Sequence, residues 1–204
     1  MRLLFTFITI VTSLATVHSQ NFVEDLIKGD ECLETGDFRC AIITYTKILE
    51  EHPHAGSIVY HSRGRAKTRM GDYRGAISDY SESIRITPTF DRSWHERAYS
   101  KAMLGHHKDA ITDYNKAIEL NPTDGIYFFG RGHSKGRLGD LRGEVYDYSK
   151  AIELGTENGV AHIYLVRGYA KIKLGQKDSG CFDLSKAGEL GDPRAYDWIK
   201  DLCN

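Results

Sequence analysis

Four arginines and four lysines recur in this chain at a spacing that could grip an anion. R-G-R-A-K runs from Arg63 to Lys67, R-A-Y-S-K from Arg97 to Lys101, R-G-H-S-K from Arg131 to Lys135 and R-G-Y-A-K from Arg167 to Lys171, at intervals of 34, 34 and 36 residues. A guanidinium and an ammonium four residues apart share one face of a helix and offer several donors to a phosphate or carboxylate. The chain carries its own carboxylates for them, however. Arg63 lies eight residues before Gly71 and Asp79 eight after it; Arg97 and Asp113 mirror each other about Gly105, Arg131 and Asp147 about Gly139, Arg167 and Asp183 about Gly175. If the chain reverses at each Gly, every Arg faces an Asp, so the spacing predicts an internal ion-pair ladder in preference to a ligand grip. Each Lys falls one turn later, near the expected end of its helix, where a cation meets the partial negative charge of the last carbonyls.

Other chemistry is thinly represented. No Gly-rich phosphate loop, G-x-S-x-G, H-E-x-x-H or C-x-x-C occurs, so no catalytic role, cofactor or metal is expected. His52 with His54, and His106 with His107, lack companion ligands at helix spacing and read as solvent-exposed turn residues. The four cysteines do fit a scheme. Cys32 stands where later units hold the Lys, and its mirror across Gly36 is Cys40; Cys181 and Cys203 flank a turn near Asp192. Hairpin geometry selects Cys32–Cys40 with Cys181–Cys203 among the three possible pairings, free core thiols being the alternative.

The elements that must position these groups are written in repeats. A-I-S-D-Y-S-E-S-I-R-I-T-P ends at Pro88, A-I-T-D-Y-N-K-A-I-E-L-N-P at Pro122, with an earlier copy ending at Pro53 and a worn one at Pro193. Within each segment apolar residues fall three and four apart, as in Ala76, Ile77, Tyr80 and Ile84, which is helical periodicity. A preceding segment stops at Gly36, Gly71, Gly105, Gly139 or Gly175, a helix-terminating signal. Each unit is therefore a helix–turn–helix pair. Small residues (Gly64, Ala98, Gly132 and Gly168; Ala76 and Ala110) let the helix axes approach, and Tyr80, Tyr114 and Tyr148 fill the space beside them with hydroxyls kept near water.

Trp94, Ala98, Gly105, Ala110, Tyr114, Ala117 and Pro122 carry a resemblance to the tetratricopeptide repeat family, the last unit drifting toward the related Sel1-like pattern. The resemblance implies an all-α fold, a right-handed solenoid of five helical pairs (about 22–56, 57–90, 91–124, 125–160 and 161–193) with a capping helix within 194–204. Glu144 departs from it, replacing a small residue at a helix–helix contact, and Thr156 stands where a Pro would. In such proteins the first helices line a groove that holds a partner's peptide. Carried over, the groove positions are His61, Arg65 and Arg69; His95, Tyr99 and Met103; Phe129, His133 and Arg137; Leu165, Tyr169 and Lys173. A stripe of rings edged with cations suits an extended segment bearing acidic or aromatic groups. The Lys and Asn clamp by which some relatives hold a terminal carboxylate is replaced here by His, Arg, Tyr and Phe.

Composition bounds the rest. Residues 1–19 have a cationic start, an apolar stretch and small or compact residues at Val17 and Ser19, which reads as a secretory signal cleaved after Ser19. The net charge of −1 becomes −2 once Arg2 is removed, far from the basic balance of a nucleic-acid binder, and no membrane-spanning segment follows. The expectation is an exported scaffold or adaptor, secreted or periplasmic, that binds a protein or peptide in its groove. The alternative is a protein that holds a small ligand or envelope glycan on the same aromatic and histidine surface.

Overall fold

The computed structural model describes residues 21–155 and 159–204; the signal reading, Thr156 and the middle of the G-T-E-N-G loop lie outside them. The described residues form eleven helices and no strand. They are α1 (21–34), α2 (Phe38–Glu51), α3 (Ser57–Arg69), α4 (Tyr73–Ile86), α5 (Asp91–Met103), α6 (His107–Leu120), α7 (Gly125–Arg137), α8 (Leu141–Leu154), α9 (Val160–Lys173), α10 (Lys177–Glu189) and α11 (Arg194–Leu202). The chain divides into two compact units, the first ending at Pro88 and the second running from Thr89 to Asn204. The first holds α1–α2 and α3–α4. The second holds α5–α6, α7–α8 and α9–α10, with α11 behind them.

The reversals are built alike. Gly71, Gly105, Gly139 and Gly175 sit at φ of +80 to +84°, a left-handed conformation that closes a helix without a Cβ clash. The next residue's N–H reaches back to the Lys carbonyl of the repeated motif, as in Asp72 to Lys67 (2.9 Å) and Asp140 to Lys135 (3.0 Å). Asp37, Asp72 and Asp140 then cap the following helices by accepting from the N–H groups of Cys40, Gly75 and Gly143.

Close approach of the paired helices follows from reciprocal sizes. A Cβ on Gly64 would fall 2.8 Å from the Tyr80 ring, and one on Gly132 3.0 Å from Tyr148. Glu144 is accommodated because the residue opposite is Gly136, whose added Cβ would meet the carboxyl at 2.4 Å. In the next hairpin the bulk changes sides: Ile172 is large and Gly180 small, a Cβ there meeting Ile172 Cγ1 at 2.5 Å and the Gly168 carbonyl at 2.7 Å. The tyrosine hydroxyls do not keep to water as the sequence led us to expect. Tyr80, Tyr114 and Tyr148 are buried, the Tyr80 hydroxyl lies 3.1 Å from Thr68 Oγ1, and that of Tyr148 bonds Glu144. Filled seams between the helices enclose these rings.

α11 closes the second unit, setting Ala195, Trp198, Ile199 and Leu202 against Leu165, Leu184 and Ala187. The sulfurs of Cys32 and Cys40 lie 2.02 Å apart and those of Cys181 and Cys203 2.01 Å, each pair with Cα atoms at 5.8 Å. The first pair staples α1 to α2 across Gly36, the second ties α10 to the end of α11.

Candidate functional site

The repeated Arg and Lys belong to the interior seam of each hairpin. Arg63, Arg97, Arg131 and Arg167 each donate through Nε and Nη2 to both oxygens of Asp79, Asp113, Asp147 and Asp183, at 2.7–3.0 Å. Lys67, Lys101, Lys135 and Lys171 join the same carboxylates at 2.7–2.8 Å. The Asp side chains are at most 4 % exposed, so each buried carboxylate is held by two cations. A ring three residues before each Arg completes the arrangement: Tyr60, Trp94, Phe128 and Tyr164 lie under the guanidinium at 4.8–5.8 Å. A remaining guanidinium nitrogen bonds the preceding hairpin within its unit, Arg63 to Thr46, Arg131 to Asn115 and Arg167 to Ser149. With their carboxylate-facing donors taken by the buried Asp residues, these motifs hold the fold.

The expected groove positions divide by place along each helix. His61 and Leu165 are corrected to core positions: His61 packs on Tyr80 with ring centroids 5.6 Å apart, and Leu165 is enclosed by Leu184, Ala187 and Ala195. Their place in the middle of the first helix puts them under a neighbouring helix. His95 and Phe129 are half-buried, His95 stacked on Tyr127 at 5.0 Å and Phe129 against Tyr148 at 5.6 Å. The later turns are exposed. In the first unit these are Arg65 and Arg69 of α3; in the second, Tyr99 and Met103 of α5, His133 and Arg137 of α7, and Tyr169 and Lys173 of α9. Lys173 Nζ stands 4.5 Å from the centre of the Tyr169 ring, which packs on Trp198 at 5.1 Å.

Histidines matter more here than their sequence suggested. His107 is only half-exposed, its ring against that of His133 at 6.4 Å, and His162 lies against Phe129 and bonds Arg194. Desolvation against neighbouring helices holds His95, His107, His133 and His162 below the ordinary imidazole range, and Arg137 lowers His107 and His133 further. Glu144 moves the other way, pushed up by burial between α7 and α8. No cluster of three metal-ligating side chains exists among the described residues.

The tetratricopeptide repeat profile matches residues 58–90 and 91–124, the α3–α4 and α5–α6 hairpins. These two hairpins are tetratricopeptide repeats. Solved structures similar to it carry the same fold. A MamA from Desulfovibrio magneticus RS-1 is 15% identical with a TM-score of 0.75, covering 83% of this chain and 94% of its own. YrrB, described as a tetratricopeptide repeat protein with an unusual peptide-binding site, is 19% identical with a TM-score of 0.71, covering 85% and 89%. A thermophilic tetratricopeptide repeat protein of Thermus thermophilus is 16% identical with a TM-score of 0.66, covering 89% and 98%. At these identities the likeness establishes the fold and nothing about ligands.

Proposed function

We propose that this repeat protein is a non-catalytic scaffold that binds an extended peptide segment of a partner protein. The observation that carries the reading is the exposed strip of the second unit: Tyr99 and Met103, His133 and Arg137, Tyr169 and Lys173, one pair on each first helix. Apolar and aromatic surface interrupted by cations matches a segment that is acidic and aromatic. The described peptide-binding site of YrrB is consistent with a peptide as ligand for this fold. The two cysteine pairs support an oxidising, extracytoplasmic location, and no described helix is long and apolar enough to cross a membrane.

Selection from a displayed random-peptide library tests the reading. Enrichment of acidic sequences bearing Phe, Tyr or Trp is the expected result. No enrichment, or enrichment of basic sequences, contradicts it.

A further inference from the structure

One place on this face brings like charges together. His107 opens α6 and meets His133 of α7, ring centroids 6.4 Å apart at 67°. Arg137 follows His133 by one turn. The groups acting on His133 are His107 from α6, Arg137 from its own helix and His162 from α9. On α8, Glu144 is engaged with Tyr148 and lies near Lys173, and beyond α10 the Asp192 carboxylate is held by Arg194. Asp109, in the first turn of α6, is the acid nearest in sequence to His107. His107 Nδ1 is the one buried side-chain nitrogen or oxygen among the described residues without a hydrogen-bond partner.

Each group acting on His133 is thus a cation or becomes one on protonation. A metal ion does not match this cluster, because the fixed charge of Arg137 repels it. An anion does. We propose that His107, His133 and Arg137 form a carboxylate-binding subsite that takes an aspartate or glutamate side chain of the bound peptide. The proposal rests on the peptide-binding reading above and names the residue class read at this point. A carboxylate seated here accepts from the guanidinium and an imidazole N–H and removes the repulsion among the three groups. It thereby raises the proton affinity of His133, and by reciprocity protonation tightens binding. Uptake of a proton on binding is the signature that distinguishes this subsite from a general cationic surface.

The test uses the full chain and two fluorescent peptides, one of alternating Glu and Tyr and its counterpart with Gln for Glu. The Glu peptide is expected to bind about tenfold tighter near pH 5.5 than near pH 8, a range set by the ordinary imidazole value. The Gln peptide should show no such change. His133→Gln should shrink the pH dependence, with His107 the imidazole left to titrate, while leaving the melting curve in place, and Arg137→Gln should weaken the Glu peptide at both pH values. In the wild-type protein, the imidazole proton signal of His133 should titrate at higher pH when the Glu peptide is present. Equal binding of both peptides, or pH dependence undiminished by His133→Gln, overturns the subsite and leaves the peptide face standing. Failure of both peptides to bind overturns the peptide face itself, and the subsite with it.

Discussion

Along the seam inside each hairpin from α3 onward, the same side chains return: an aromatic ring, an Arg three residues later, a Lys four beyond that, and the Asp they share. On the exposed later turns of the same first helices no pair recurs, the residues being Arg65 and Arg69, Tyr99 and Met103, His133 and Arg137, Tyr169 and Lys173. Both regions are rich in cations, but their energetics differ. A buried Asp between two cations is a requirement of folding, because removing a partner leaves charge in a place water does not reach. An exposed Arg or Tyr is nearly neutral for stability and is therefore free to vary. Repetition thus marks the scaffold, and variation marks the surface available for recognition.

The sharpest break in that contrast comes from Arg131→Met. Asp147 is fully buried, and Lys135 alone would remain to hold it. We expect a loss of about 2–4 kcal/mol in urea unfolding. Adding Asp147→Asn should cost little more, and strict additivity would contradict the pairing. Next come the glycines. Gly180→Ala drives a methyl into Ile172 and the Gly168 carbonyl, and should cost about 1–3 kcal/mol. Gly136→Ala meets only the end of the flexible Glu144 side chain, and should cost less. Ala in place of Glu144 should rescue the second change, while Ala for Ile172 should rescue the first only in part, since the Gly168 carbonyl stays. Equal rescue in thermal melts would break the reciprocal-size account.

A smaller effect is expected from pH. His95, His107, His133 and His162 have folded-state values depressed below 6.5, so the folded protein binds fewer protons than the unfolded chain. Their neutral forms support the fold fully above that value, and the support is lost as pH falls toward the depressed values. Glu144, raised above 4.5, has the opposite sign: its contribution is present at low pH and is lost as pH rises through its folded value. Four histidines against one acid should make the melting temperature fall from pH 7.5 to about pH 5.5. A melting temperature that rises over that interval would contradict the desolvation assigned to these imidazoles.

The repeat, the helix pairs, the cap and the Arg–Asp facing were legible because mirrored spacing about a Gly is a one-dimensional record of an antiparallel pair. The second role of the Lys was not. Its backbone carbonyl does take the turn hydrogen bond, but its ammonium reaches the Asp, and charge at a helix end does not reveal the partner across the seam. The i, i+4 rule correctly puts His61 and Arg65 on one helical face, yet says nothing of how far a neighbouring helix covers that face; His61 is inside and Arg65 outside. Glu144 stood out as a misfit in the sequence, while its remedy at Gly136 did not, because the two meet only once the hairpin closes. His107 shows the same limit, its burial depending on the following hairpin and not on its own turn.

The most direct test of the central contrast is a binding titration with a library-selected acidic peptide and two variants checked for unchanged melting. Tyr99→Ala with Arg137→Ala alters the variable strip. Exchanging Lys116 and Glu119, an exposed pair on α6 held at 2.7 Å, alters an outward face. The account predicts that the first variant loses peptide binding by at least about tenfold while the second binds as the wild type does. Undiminished binding by the first variant, or equal loss in both, would contradict it.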